Sequence, residues 1–239
     1  MKKKLLLLLP IFAVGAFVLW RVTHPPVFIF AGTVEATEVD LSSRLAAPVL
    51  EIGPSEGDPV VRGAVVVRLD GADLRLAAEQ AERDYQRGVG LNRNGSLPAE
   101  ALERLRFRRD DAALRLSWCA IQSPLNGAVL RRYREPGEWV TPGQKILTLA
   151  NLRDLYAYVY VPASVMEGLK LNQTVTALLP FAEERRLAGK IIHIRNEAEF
   201  TPKNVQTRTE RERLVFGIKI AFDNQDGLLK PGMSVELTF

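Results

Sequence analysis

Few side chains in this 239-residue sequence have the type and spacing that chemistry demands. The two histidines, His24 and His193, form no pair at metal-ligand spacing. His24 closes an apolar N-terminal run and His193 sits inside an alternating stretch, and both positions suit structural roles. No Gly-rich loop followed by Lys offers a phosphate cradle. Glu197 and Glu199, just ahead of Phe200-Thr201-Pro202, form a candidate carboxylate pair. Paired acids need a shared cleft and differing environments to act as acid and base. In a loop at a barrel edge they are solvated or help to order the turn. Cys119 is the only cysteine, so no intramolecular disulfide can form. Its apolar surroundings, Leu116 to Ile121, suit a small buried hydrophobe rather than a reactive thiol. The sequence therefore reads as non-enzymatic, with no catalytic residues, no cofactor and no metal, and its elements must position surfaces rather than reacting groups.

Charge narrows those surfaces. A net charge of +4, with Lys and Arg interleaved among Asp and Glu, gives no concentrated basic stripe and argues against a nucleic-acid partner. The N-terminus is more directive: Lys2, Lys3 and Lys4 precede an apolar run from Leu5 to Trp20, then Arg21 and Pro25-Pro26. A basic segment followed by a continuous apolar stretch is an export signal. Sixteen apolar residues rise about 24 Å as a helix, and Arg21 and Val22 at the interface extend that to a thin or tilted span. No small-x-small cleavage site follows cleanly and no cysteine is placed to take a lipid. The segment reads as an uncleaved inner-membrane anchor, with cleavage left open, and the bulk of the chain on the far side of the membrane.

The organising feature is an internal repeat. Ser43 to Leu69 lies over Ser123 to Leu149 at a constant offset of 80 residues. Ser43, Leu45, Val49, Leu50, Gly57, Val60, Gly63, Val66 and Leu69 fall on Ser123, Leu125, Val129, Leu130, Gly137, Val140, Gly143, Ile146 and Leu149. Each copy predicts a strand, a glycine turn at Gly57 or Gly137, a short strand, a second glycine at Gly63 or Gly143, and an alternating strand. A copy of about 27 residues cannot bury a core alone, but two can close on one another as a small sandwich. The 53 residues between them must then leave and return at one place.

Those residues have the means. Leu74, Ala77, Ala78, Ala81 and Tyr85 recur at helical spacing within Asp73 to Arg87, and Leu102, Leu105, Ala112, Ala113 and Leu116 do so within Ala99 to Leu116. Gly88 to Pro98, with Gly88, Gly90, Gly95 and Pro98, reads as the turn. The expectation is an antiparallel hairpin of two helices, 15 to 18 residues each and ~22–27 Å long. After Asn151 the pattern changes to strands: Leu155 to Val161, Val175 to Leu179, Leu187 to Ile194, Leu214 to Phe222 and Met233 to Phe239. These suggest a small barrel, with the polar stretch Pro202 to Arg213 as a long loop.

With "EGDPVVRGAVVVRLD" leading into the hairpin, "IQSPLNGAVLRRYREPGEWVTPGQKILTLANL" leading out of it, and "NEAEFTPKNVQT…LVFGIKIAFDN…LLKPGMSVELTF" in the barrel, the chain resembles the HlyD/AcrA-type periplasmic adaptors, or membrane fusion proteins. It looks most like the YbhG branch found beside ABC exporters. The resemblance implies a mainly β fold with an α-helical hairpin: an anchor at 1–24, the first half of a biotinyl–lipoyl-like domain with its lead-in strand at 25–70, a coiled-coil hairpin at 71–118, the second half at 119–152, and a β-barrel at 153–239. It implies a non-catalytic export or efflux adaptor linking an inner-membrane transporter, of ABC type, to the periplasm or an outer-membrane channel. Self-association into a hexameric ring is the family's habit, with Trp139 serving either ring contacts or the core. A stand-alone anchored periplasmic binding or scaffold protein is the other reading.

Many such adaptors carry an Arg, a Leu and a Ser at the hairpin tip. Here Arg87 and Leu91 match, and Pro98 stands at the third position, with Ser96 close enough to cap the second helix instead. A docking tip and an ordinary polar turn are both open. Ala47 stands where the family usually opens the first half with glycine, and Gly127 keeps it in the second. Lipoyl and biotinyl carriers attach their cofactor to a lysine between the halves. The span Val61 to Asn126 contains no lysine, so a carrier role fails on its required residue.

Overall fold

The computed structural model describes residues 29–181, 185–200 and 214–239. The expected anchor at 1–24, His24 and the polar stretch Pro202 to Arg213 lie outside the described residues. The described chain is mainly β-strand. In order it forms β1 (Phe30–Ser42), β2 (Ala47–Ile52), β3 (Pro59–Val60), β4 (Val65–Leu69), α1 (Ala72–Arg93), α2 (Ala99–Ser117), β5 (Ala120–Gln122), β6 (Gly127–Arg132), β7 (Trp139–Val140) and β8 (Lys145–Pro162). It continues through α3 (Ala163–Met166), β9 (Thr174–Leu179), β10 (Arg185–Phe200), β11 (Leu214–Asp223) and β12 (Ser234–Thr238). Two compact units result: Glu35–Leu155 with Asp223–Pro231, and the chain up to Val34 with Tyr156–Phe222 and Gly232–Phe239.

In the first unit the offset read from the sequence holds strand by strand. β2, β3 and the start of β4 lie 80 positions before β6, β7 and the start of β8. Pairing is crosswise. β2 takes β7 of the other copy, with Ala47 opposite Val140 and Pro48 opposite Trp139, while β6 takes β3, with Gly127 opposite Val60 and Ala128 opposite Pro59. Within each copy, Val49 faces Leu69 and Val129 faces Leu149, and each ladder then slips by one residue at the same point. Val49, Val67 and Leu69 close on Val129, Leu147 and Leu149, all buried. Full burial of such a side chain stabilises by roughly 1.5–3 kcal/mol, so the shared core belongs to neither copy alone.

The glycine turns serve this exchange. Gly57 and Gly137 sit at φ +89° and +92°, where an L side chain is strained. Their N–H groups donate across the unit, Gly57 to Val129 O at 2.9 Å and Gly137 to Val49 O at 2.8 Å. Gly63 and Gly143, both at φ +84°, donate in the same way to Ser123 O and Ser43 O, each at 2.8 Å. Ser43 and Ser123 are themselves buried, and each hydroxyl donates to the carbonyl two residues on, Leu45 O at 2.6 Å and Leu125 O at 2.7 Å.

The symmetry breaks at Ala47 and Gly127, for a physical reason. A Cβ on Gly127 would stand 2.1 Å from Ala150 O, because β8 runs on past the end of the repeat. In the first copy the chain leaves the sheet at Asp70 and turns into α1, so Ala47 keeps its methyl, buried. Asp223–Pro231 also belongs to this unit: the buried Asn224 donates through Nδ2 to Leu152 O and Leu229 O and accepts from Leu229 N. The segments 25–70 and 153–239 are thus each divided between the two units.

In the second unit β1 pairs with β12, β12 with β9, β9 with β10, β10 with β11 and β11 with β8. β1 meets β8 at Gly32, whose added Cβ would lie 2.7 Å from Tyr158 O, and the ring of strands closes. Alternation fills the interior with Val159, Val161, Ala177, Leu179, Ile218 and Val235, and closure leaves these strands no free edge.

Gly127→Ala is expected to cost ~1–3 kcal/mol, because a backbone oxygen cannot step aside. It should appear as a lower urea midpoint at unchanged slope. Ala47→Gly, which loses one buried methyl, should cost only about 1 kcal/mol.

Candidate functional site: the inserted helical hairpin

The hairpin starts where the two copies meet. Leu69 N donates to Cys119 O at 2.8 Å, so the chain leaves and re-enters the sheet at adjacent points. Gly71 lies so close to Cys119 that a Cβ there would stand 2.4 Å from the thiol sulfur. Burial, with Asp73 and Asp70 nearby, pushes the Cys119 thiol above its ordinary value and keeps it protonated, the state of an inert packing residue.

From this root α1 runs 22 residues and α2 19, about 33 and 28 Å at 1.5 Å per residue. Both exceed the expected lengths, because α1 continues through Gly88 and Gly90 to Arg93. The reason is Gly88, which is buried in the helix pair: a Cβ on it would stand 2.5 Å from Leu105 Cδ1, 3.4 Å from Leu97 and 3.5 Å from Leu102. Packing there outweighs the roughly 1 kcal/mol that glycine costs a helix.

The seam of α1 is Leu74, Ala78, Ala81, Tyr85, Gly88 and Asn92, and that of α2 is Leu102, Leu105, Arg109, Ala112 and Leu116, at alternating three- and four-residue steps. Ala77 and Ala113, expected on the contact face, are exposed. Arg109 was absent from the expected pattern because charge reads as surface. Its guanidinium stacks 4.4 Å from the Tyr85 ring and lies 3.6 Å from Glu82, so one seam layer is a cation held between an aromatic face and a carboxylate. The heptad spacing itself was the signal that could have found Gly88 and Arg109.

At the tip, Gly95 adopts φ +72°, Ser96 N donates to Leu91 O at 2.9 Å, and Asn92 Nδ2 donates to Leu97 O at 2.8 Å. Pro98 holds the N-cap position of α2 with no side-chain cap, so Ser96 does not supply one. Leu91, expected in the turn, stands on α1 together with Arg87. Arg87 pairs with Asp84, Leu91 is 44% exposed, and Pro98 is exposed. The four repeat glycines lie far back in the sheet unit as turn residues. Trp139 is on the surface, beside Leu45, Pro48 and Leu74, and not in the core.

Groups of a type suited to chemistry are held elsewhere. Glu199 is in strand β10, not a loop, and pairs with Arg195, while Glu197 and His193 are exposed on the same strand. On the outer face of the ring, Lys219 Nζ lies 3.6 Å from the Tyr156 ring and Arg195 5.1 Å from that of Tyr158. In the repeat unit, the buried Thr148 donates to Asp40 at 2.5 Å, and Asp40 also pairs with Lys145. Lys145, then Thr148, hold the Asp40 carboxyl below its ordinary value, so it is a fixed anion. Among the described residues no group of three or more His, Cys, Asp or Glu is placed to hold a metal ion, and no helix is long and apolar enough to cross a membrane.

The family description "CusB-like, beta-barrel domain" matches residues 155–239, which hold β9 to β12 and the end of β8. The membrane protein YbhG of Salmonella gallinarum is 27% identical, and the match covers 87% of each chain. These likenesses are to membrane fusion proteins of the HlyD/AcrA type. The fold of this chain is shared by a MacA–MexA chimera carrying the Pseudomonas aeruginosa MexA α-hairpin, with TM-score 0.74 and 16% identity over 88% of this chain and 79% of the chimera. It is shared also by the periplasmic adaptor protein EmrA, with TM-score 0.52 and 16% identity over 88% and 98%. The YbhG match spans 288 residues, whereas 87% of this chain is about 208, so about 80 residues of that relative have no counterpart here.

Gly88→Ala should be nearly neutral, since only the flexible end of Leu105 must move. Gly88→Val adds branches toward Leu97 and Leu102, should cost ~1–3 kcal/mol, and should open the tip. Trypsin would then cut at Arg87 or Arg93 several-fold faster while the repeat unit stays intact; an unchanged rate would mean that the helices do not touch there.

Proposed function

We propose that this chain is a membrane fusion protein, the non-catalytic adaptor of an export system, joined to an inner-membrane transporter of ABC type and anchored beside it by residues 1–24. The observation that carries the reading is the hairpin rooted at Leu69 and Cys119: a closed double repeat of the biotinyl–lipoyl kind that spends its inter-copy connection on a projecting coiled coil has built a strut, not a carrier arm. Between Val61 and Asn126 there is no lysine for a cofactor. The barrel at 155–239 is the transporter-facing element, and its Tyr156–Lys219 and Tyr158–Arg195 stacks offer a rigid aromatic and cationic face.

Several copies side by side would form the ring, six in the manner of the family. Any docking to an outer-membrane channel runs through Leu91 and Pro98 at the tip, with Arg87 set nearly two turns back on α1. A hairpin of about 33 Å makes the strut a short one. Contact with an outer-membrane channel therefore needs a partner that reaches inward.

A photo-cross-linker at Tyr156 or Tyr158 in the full chain, in its own cells, should capture an inner-membrane permease. A chain that captures no membrane protein and purifies as a monomer binding a small ligand would overturn the adaptor role in favour of a stand-alone binding protein.

A further inference from the structure

A cleft of about 490 Å³ opens on the repeat unit at the root of the hairpin, a size suited to a small molecule. Both repeats line it with the same stretch: Leu41 and Ser42 end β1, and Ile121 and Gln122, 80 positions on, end β5. These strands belong to different sheets and do not pair with one another, leaving a gap between them. Trp118, at the C-cap of α2, contributes its ring, which with Ile121 and Pro124 gives the cleft an apolar lining. All of these residues lie within a single compact unit.

The polar groups of the cleft are unevenly satisfied. Asp40 is committed, because it pairs with Lys145 and accepts from Thr148. The Arg44 guanidinium has no acidic partner among the described residues, so the cleft carries one uncompensated positive charge. Ser42 and Gln122 likewise bring side-chain donors that no described residue accepts. Water serves these three, which are exposed. It does not serve Trp118, whose indole Nε1–H is closed off from solvent and has no acceptor. A donor left so is costly, and its place in the wall of a cleft gives it a remedy. A turn of the ring toward the cleft supplies the N–H with an acceptor, provided that one is held there.

We propose that this cleft binds a small aromatic anion. The anionic group is held by the Arg44 guanidinium, with Ser42 and Gln122 donating beside it, and the ring lies against Trp118, Ile121 and Pro124. Arg44 repels a cation, and Asp40, already paired with Lys145, offers it no counter-charge. A bare inorganic anion leaves the apolar lining unused. Because Trp118 caps α2, an occupied cleft also ties the foot of the hairpin to the repeat unit. The site needs no permease, so it stands apart from the adaptor role.

The test uses the full chain in lipid nanodiscs, with Trp20→Phe and Trp139→Phe so that Trp118 is its one tryptophan. The probe is 4-nitrobenzenesulfonate, an aromatic anion that quenches indole fluorescence on contact. Its quenching of Trp118 should saturate, whereas neutral nitrobenzene should quench in proportion to its concentration. Arg44→Ala should raise the half-saturating concentration several-fold at an unchanged urea midpoint, since the side chain is exposed. Arg44→Lys, which keeps the charge, should recover part of the loss. Arg104→Ala, on an exposed arginine of α2 outside the cleft, should change nothing. Quenching that never saturates, that nitrobenzene matches, or that Arg44→Ala leaves unaltered overturns the proposal. Any of these results leaves the adaptor role to the permease cross-link, which decides it separately.

Discussion

The backbone exchange between the two repeat copies is the constraint on which everything else rests. Gly57 and Gly63 of one copy donate to Val129 and Ser123 of the other, and Gly137 and Gly143 return the same bonds to Val49 and Ser43. Each of those N–H groups would otherwise be left without a protein acceptor, and each copy without half its core. Because the bonds come from turns at positive φ, the identity of four glycines is tied directly to the closure of the unit. The hairpin is possible only because this closure brings Leu69 and Cys119 together. Once the ends are fixed, the entropic cost of a longer excursion grows slowly with its length, so the insertion can vary while the platform does not.

The helices are held differently. Their seam mixes Leu with Ala, Gly and Arg, and the pairs along their surfaces, such as Arg83 with Glu79 or Arg115 with Asp111, are exposed and contribute only tenths of a kcal/mol each. The strut therefore borrows its order from its root and from close approach at Gly88, not from a thick apolar core. Such a strut is the element expected to open first, while the repeat unit stays closed.

Much of this could be read in the residues. The offset of 80 positions located β2, β3, β6 and β7 because glycine and β-branched spacing leaves little freedom in so short a fold. The hairpin was legible as a pair of helices but not in length: Gly88 and Gly90 looked like breakers, and only the proximity of Leu105 explains why the helix continues. Arg109 was hidden by its charge, and Ala47 looked like a departure from pattern until the Ala150 carbonyl showed which of the two positions needs a bare backbone. The unbroken run of β8 past Ala150 was masked by the polar Asn151-Leu152-Arg153-Asp154.

The central claim is that two copies make one cooperative unit. Native-state hydrogen exchange at the amides of Gly57, Gly63, Gly137 and Gly143 tests it most directly. One common opening free energy for all four, above that of the amides in α1 and α2, is the predicted result. Opening of one copy's pair at a distinctly lower free energy than the other's would contradict it.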